Sequence, residues 1–472
     1  MTRADPRRPA DRVLRRSRIQ PETVRLRRRR RLRITPKPWM VMAAFVVVIG
    51  LGGLLLSLPV ASESREWTSG VDALFTSTSA VSVTGLVRFD SAEHWSGFGE
   101  TVIATLIQVG GLGVTLYAGM LVLLVGGRFG LRGREFFGFE LMGANERDVR
   151  RLLTRIVVFM VVVEAVTFVL LLPWFIAQDG GGTGLWRALF HAVSAFNNAG
   201  FDLMGGGTGF QGQVSSPYPL AVMGVAAFLG SLSFLTVFQM RRRPRLWNLD
   251  TRLVVIGMFG LLGAGMLVFL VGEVQGGRML DGLDVGDTLA NSFFLSVNRT
   301  TGMATVELAQ AQDSTTTALL VLMFIGGAST STAGGIKIGA FMVSLVVVGS
   351  ALRGRHRAEV FGREIPASIV IRAVAVTMLA LVALALGIWI LALTEGGSAG
   401  EVPFLPLAFE AMSALANVGW SQGLTAGLTT GGAVVLMVLM FTGRLGTLMI
   451  ALSISERPLE RYRYPESAVR IG

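Results

Sequence analysis

Four stretches of this chain follow one pattern, which restricts the possible folds more than any other feature does. They occupy 75–86, 190–201, 292–303 and 409–420. Each ends in a glycine (Gly85, Gly200, Gly302, Gly419) followed by a large apolar residue, with a serine six residues before the glycine (Ser79, Ser194, Ser296, Ser413). Three also carry an aromatic ten residues before it, namely Phe75, Phe190 and Phe409. The glycines are 115, 102 and 117 residues apart, so one structural unit has been used four times. Glycine at a fixed offset after a short helix is expected where the backbone must adopt conformations barred to other residues.

Apolar segments of about 20 residues, long enough to cross a hydrocarbon core of about 30 Å, flank these stretches. They read as spans at 39–60, 98–125, 156–177, 218–238, 253–272, 318–349, 369–393 and 433–454. Only 16% of residues are charged, which excludes an ordinary soluble domain. The four glycine stretches are too short to cross and read as re-entrant hairpins. The expected fold class is therefore an all-α polytopic membrane protein in which four span, pore-hairpin, span repeats (eight transmembrane helices) surround a central pore. The repeats occupy 38–127, 150–240, 250–350 and 366–455, between a basic, disordered cytoplasmic tail at 1–37 and a cytoplasmic C-terminus at 456–472.

Charge sets the sidedness. The tail and the segments 128–155, 241–252, 353–372 and 457–470 hold 36 basic residues; the alternate segments hold five, against seventeen acidic ones. By the positive-inside rule both termini are cytoplasmic in a multi-pass cell-membrane protein. The outer acidic excess gathers cations and disfavours an anion pore. Fifteen basic and three acidic residues give the tail +12, the formal charge of the whole chain. Its arginine run lacks interleaved aromatics, so anionic membrane lipid rather than nucleic acid is its expected partner. The first apolar segment is too long for a cleavable signal peptide.

The chain has no cysteine, and its three histidines share no metal-ligand spacing. No nucleophile with a base and no pair of carboxylates within a span is found, so an enzyme is not expected. Segment 326–337 reads Gly-Gly-Ala-Ser-Thr-Ser-Thr-Ala-Gly-Gly-Ile-Lys. Glycine costs about 1 kcal/mol in a helix interior, so the sixth span should be broken there. The segment lacks the Gly-Lys-Ser/Thr ending of a phosphate loop.

Val83-Thr84-Gly85-Leu86, Asn197-Asn198-Ala199-Gly200-Phe201, Arg299-Thr300-Thr301-Gly302-Met303 and Asn417-Val418-Gly419-Trp420 resemble the four filter segments of the Trk/Ktr/HKT potassium transporter superfamily. Segment 326–337 and Gly443-Arg444-Leu445-Gly446 fit the same family. With eight spans, the chain resembles the bacterial Ktr membrane subunit more than the ten-span Trk form. The resemblance implies potassium uptake through a channel-like pore. Its ion-binding filter would be Val83, Thr84, Gly85, Asn198, Ala199, Gly200, Thr300, Thr301, Gly302, Asn417, Val418 and Gly419, with backbone carbonyls replacing the hydration shell. It further implies an intramembrane gate formed by Gly326, Gly327, Ser329, Thr330, Gly334, Gly335 and Lys337, with Arg444 beneath the filter.

The same resemblance implies a homodimer and a cytoplasmic ring of nucleotide-binding regulatory subunits. Nucleotide would then act only through that separate subunit, leaving the filter potassium ion as the bound species and no other metal site. Gly85, where sodium-preferring plant relatives have serine, favours potassium. Met303 and Trp420 depart from the residues more usual in the family. The alternative reading is a proton- or sodium-coupled secondary transporter of another solute, which would be expected to show inverted repeats.

Several side chains invite individual expectations. Arg299 should brace the third filter strand from behind, through carbonyls or Glu307. Lys337 should hold its loop to a carboxylate or carbonyl. Arg444 either faces the pore or pairs with a helix end. Glu164, mid-span, either pairs with a cation or is protonated. Asn197, Asn198 and Asn417 either line the pore or brace their own loops.

Overall fold

The structure, a computed structural model, describes residues 38–113, 146–205, 209–272, 279–280, 282–396 and 402–446. The basic tail at 1–37, the arginines of 128–145, the inner ends of the second and eighth spans and the C-terminal segment lie outside the described residues. Among the described residues are fifteen α-helices and one two-stranded hairpin.

In the first repeat α1 (Pro38–Ser57) is followed by the short α2 (Gly70–Ser82), a one-turn α3 (Ser91–His94) and α4 (Gly97–Gly111). The second has α5 (Glu146–Asp179), α6 (Gly181–Asn197) and α7 (Pro217–Ser231), continued by α8 (Phe234–Met240). The third has α9 (Leu249–Gly272), α10 (Val285–Asn298), α11 (Asp313–Phe324) and α12 (Ile338–Leu352). After the hairpin β1 (Glu359–Val360) and β2 (Arg363–Glu364), the fourth has α13 (Ala367–Glu395), α14 (Phe404–Ala416) and α15 (Thr430–Leu445).

The long first helices of the repeats, Trp39–Ser57, Arg150–Asp179, Leu249–Gly272 and Ala367–Glu395, are long and apolar enough to cross a membrane. Each turns valines and leucines outward, as a lipid-facing helix must: Val46, Val161, Leu267 and Val382 are all more than half exposed. The fourth expected span departs from a single crossing. It breaks between α7 and α8 with a 102° bend, because Leu232 and Ser233 both take extended backbone angles. The sixth is likewise not continuous from 318 to 349. It begins at Asp313, stops at Phe324 and resumes at Ile338, leaving a loop at the glycine-rich segment.

In the first, second and fourth repeats the short helix packs against both longer ones, in the third it packs against α9, and the second helix of each repeat also packs on the short helix of the next. Thus α4 meets α6, α7 meets α10, α11 meets α14, and α15 meets α2, so the circuit closes on itself. Small residues permit the close approach, as expected where lipid removes the hydrophobic drive between helices. Gly110, Gly230 and Gly443 sit where a Cβ would strike the carbonyls of Val81, Phe196 and Leu415, each four residues before its repeat's glycine. The inner half of every short helix is consequently buried: residues 75–82, 194–197, 294–298 and 407–416.

Candidate functional site

The short helices aim their C-terminal ends at the centre of this circuit. Three of them stop in one way. Val83, Asn198 and Asn417 take left-handed angles (φ 56°, 58° and 51°), and each closes the last turn through its own N–H. The next N–H then returns to the carbonyl of the repeated serine: Thr84 to Ser79 (2.8 Å), Ala199 to Ser194 (2.9 Å) and Val418 to Ser413 (2.9 Å). A β-branched valine in this conformation is strained, and the surrounding packing must hold it. Helix α10 ends one residue earlier, with Arg299 still right-handed, and both Thr301 and Gly302 donate to the Asn298 carbonyl (2.9 and 2.8 Å).

Beyond these stops the chain turns at Gly85, Gly200, Gly302 and Gly419, with φ of +89°, +76°, +89° and +101°. The four meet. The open face of Gly85 lies on the Ala199 carbonyl and Gly200, and that of Gly200 on the Thr301 carbonyl. Gly302 lies on the Val418 carbonyl and Gly419, and Gly419 on the Thr84 carbonyl and Gly85. Each glycine therefore abuts the carbonyl of the residue preceding the next glycine, and the four strands form a closed ring. Carbonyl oxygens gathered in this way are suited to a cation. Among the described residues no cluster of three or more His, Cys, Asp or Glu side chains is placed to hold a metal ion.

Next to the ring lies the loop 325–337. Its ends are joined by the bridge between Ile325 and Ile336 and by Gly326 N–H donating to the Ile336 carbonyl (2.8 Å). It docks on the bend of the fourth span, where α7 leaves its last carbonyls free. Ala328 N–H donates to Ser231 (2.9 Å), Thr332 N–H to Gly230 (3.0 Å), and the Thr330 and Ser233 hydroxyls bond at 2.9 Å. Gly326 is pressed on Gly334, Gly327 on Ser231 and Ala333, and Gly334 and Gly335 on Ala416. Ser329 is exposed. Lys337 Nζ donates to the Ala333 carbonyl of its own loop (2.6 Å). Arg444 bridges the loop to α4, with Nη1 donating to the Thr332 carbonyl and Nη2 to the Gly110 carbonyl.

The remaining expectations resolve individually. Arg299 is buried and donates to the carbonyls of Leu322 (3.4 Å) and Ile325, at the end of α11. It thus braces the entrance of the loop, and Glu307 instead accepts from Gln310. The Glu164 carboxylate accepts from Asn197 Nδ2 (2.9 Å) and Gln108 Nε2 (3.0 Å), so amides rather than a cation face it. Asn197, Asn198 and Asn417 are buried and bonded to protein groups.

Two residues escaped the sequence reading. His191 and Glu410 each lie nine residues before their glycine and accept the N–H of the third residue after it. Leu203 N–H reaches His191 Nε2 (3.2 Å), and Gln422 N–H reaches Glu410 (2.9 Å). Glu410 also accepts the hydroxyls of Ser421 (2.5 Å) and Thr425 (2.6 Å). The shared offset was the available signal. Outside the spans, the Asp202 carboxyl is pushed up to about 6 by burial and accepts Met204 N–H (3.2 Å).

The family described as TrkH, cation transport protein, matches residues 27–462. Ktr system potassium uptake protein B of Bacillus subtilis (strain 168) is 35% identical over 444 residues, 93% of this chain and 98% of that protein. Potassium/sodium uptake protein NtpJ of Enterococcus hirae is 33% identical over 455 residues, 95% of this chain and 99% of that protein. The crystal structure of the potassium transporter TrkH from Vibrio parahaemolyticus shares the fold, with a TM-score of 0.68 over 89% of this chain and 84% of that one at 18% identity. With matches across nearly its whole length, this multi-pass membrane chain belongs to the TrkH family of cation transport proteins, the superfamily its four glycine segments resemble.

Proposed function

We propose that the chain is the membrane subunit of a potassium uptake system that conducts the ion through the ring of Gly85, Gly200, Gly302 and Gly419. One observation carries this reading: each glycine faces the carbonyl preceding the next, in a closed order. A dehydrated monovalent cation on the axis would exchange its water for main-chain oxygens of Val83–Gly85, Asn198–Gly200, Thr300–Gly302 and Asn417–Gly419. The four inward helix ends add negative dipole. The names of the relatives from B. subtilis and E. hirae support potassium as cargo, and the latter favours sodium as a second one.

The loop 326–337 is the gate in this reading, restrained by Arg444 and by the bend of the fourth span. Four long helices, the bent pair, the broken sixth span, α4 and α15 make eight crossings with both termini cytoplasmic. The protein works as a homodimer on a ring of nucleotide-binding regulatory subunits, its basic tail on anionic lipid. The test is rubidium uptake in a cell lacking its own potassium uptake, comparing the native chain with Gly302→Ser and Gly85→Ser at equal membrane abundance. Loss of uptake or of cation preference is expected; unchanged uptake in both variants overturns the assignment.

A further inference from the structure

The ring is held unevenly, and the unevenness follows side chains that the backbone argument leaves unused. At the joint between the second and third strands, the Thr301 carbonyl seats against Gly200. The Thr301 hydroxyl donates to Asn198 Oδ1 (2.7 Å), as does the Thr300 hydroxyl (3.0 Å). The orientation of that amide is fixed, because Nδ2 faces the Phe196 and Ala227 carbonyls (3.3 and 3.2 Å), which can only accept.

At the joint between the fourth and first strands, the Thr84 carbonyl seats against Gly419. Here Asn417 Nδ2 donates to Thr84 Oγ1 (2.9 Å) while also bonding the Met440 carbonyl (2.8 Å). Thr84 in turn donates to Ser82 Oγ (2.6 Å), whose proton goes to the Ser79 carbonyl (3.3 Å). The other two joints are seated by the carbonyls of Ala199 and Val418, whose side chains carry no polar group. Two opposite joints are therefore tied by an asparagine two residues before one glycine and a threonine directly before the next. Neither of the two joints between them has such a tie at its carbonyl; the third and fourth strands are joined one residue beyond their glycines, where Trp420 Nε1 donates to the Met303 carbonyl (3.2 Å).

We infer that Asn198 and Asn417 are positioning residues that fix the span of the carbonyl ring through Thr301 and Thr84, and so set discrimination between potassium and the smaller sodium ion. This rests on the filter reading above. Carbonyls whose own residues are tied sideways cannot close down on a smaller ion, whereas carbonyls at an untied joint can.

The experiment measures the ratio of rubidium to sodium uptake by the full-length chain in the deficient cell, with membrane abundance followed in parallel. Thr301→Val and Thr84→Val keep shape and remove the hydroxyl. Each should lower the ratio by about fivefold or more, the factor associated with one buried hydrogen bond. Thr301→Ser and Thr84→Ser should restore it, which a purely steric role would not require. Asn198→Ala combined with Thr301→Val should lower the ratio no further than either alone; combined with Thr84→Val, across the ring, the two effects should multiply.

Where a valine variant does not reach the membrane, the cysteine variant of near-equal volume and weak donor strength replaces it. A ratio unchanged by loss of either hydroxyl, or multiplication within the 198/301 pair, overturns the inference while Gly302→Ser still abolishes uptake. Unchanged uptake in both Gly302→Ser and Gly85→Ser removes the filter reading itself.

Discussion

Arg299 offers the sharpest quantitative test of how the ring and the loop are joined. It stands three residues before Gly302, is 3% exposed, and takes part in none of the ion pairs found among the described residues. Its charge is met by the C-terminal carbonyls of α11, Leu322 and Ile325, where the helix dipole is negative. A buried hydrogen bond from a charged donor contributes about 1.5–3 kcal/mol. Arg299→Lys keeps the charge but cannot match the spread of the guanidinium nitrogens, so it should lose one such bond, about 1.5–3 kcal/mol. Arg299→Ala strips both carbonyls of their donor and should cost about 3–6 kcal/mol, two such bonds. Ile325 is bridged to Ile336 across the loop neck, so the damage should spread into the loop as well as to the third strand.

The assay is thermal unfolding of the purified protein in detergent, followed in parallel with rubidium uptake. The expected order is native, lysine, alanine in both stability and ion selectivity. Arg299→Ala with native melting temperature and native selectivity would refute the claim that this arginine couples strand and loop. Loss of stability with intact selectivity would confine it to α11.

Three further outcomes follow from the same geometry. Arg444→Gln removes the clamp between the Thr332 and Gly110 carbonyls, and unstimulated uptake should rise about tenfold or more for the loss of one charged hydrogen bond; uptake at or below the native level counts against a restraining role. Glu164→Ala removes the carboxylate that accepts from Asn197 and Gln108, leaving Asn197 its bonds to Val193 and Gln108 but Gln108 Nε2 without this acceptor, costing about 1–3 kcal/mol in detergent unfolding, whereas Glu164→Gln keeps one acceptor and should cost less than half as much; equal losses would show that charge matters rather than acceptor count. Asp202 has its carboxyl pushed from 3.8 up to about 6 by burial, so the folded protein holds an extra proton between those values and stability falls as pH rises through that window; Asp202→Asn should flatten this part of the melting profile, and an unchanged slope would assign it to other groups.

The parts of the fold legible in the sequence are those demanded locally. Gly85, Gly200, Gly302 and Gly419 stand out because each must adopt φ near +90°, and the long first helices stand out because lipid tolerates only apolar, internally bonded backbone. Long-range partners leave no such local trace. The bend at Leu232–Ser233 is fixed by Ala328 and Thr332, about one hundred residues away, which supply donors to the Ser231 and Gly230 carbonyls. Without that loop nothing in Pro217–Met240 demands a stop, and a single crossing is the natural reading. The partner of Arg299 was hidden for the same reason: the sequence shows the charge but not which carbonyls come to meet it.

The repeated serine shows how one local difference propagates. Ser79 and Ser413 accept the N–H of Gly85 and Gly419 (both 3.0 Å). In the third repeat α10 stops one residue sooner, so the Asn298 carbonyl already takes the N–H of Gly302. Ser296 is left without that donor and turns outward to the Leu262 carbonyl (2.7 Å), fastening α10 to α9. Ser194 takes a third course and donates to the Phe201 carbonyl (2.6 Å). A serine at constant spacing therefore identifies the repeat without fixing the bond it makes, because that bond depends on where each short helix ends. The third strand, released from its serine, relies instead on the Asn298 carbonyl, on Arg299 bonded to α11 of its own repeat, and on the hydroxyl tie to Asn198 in the second.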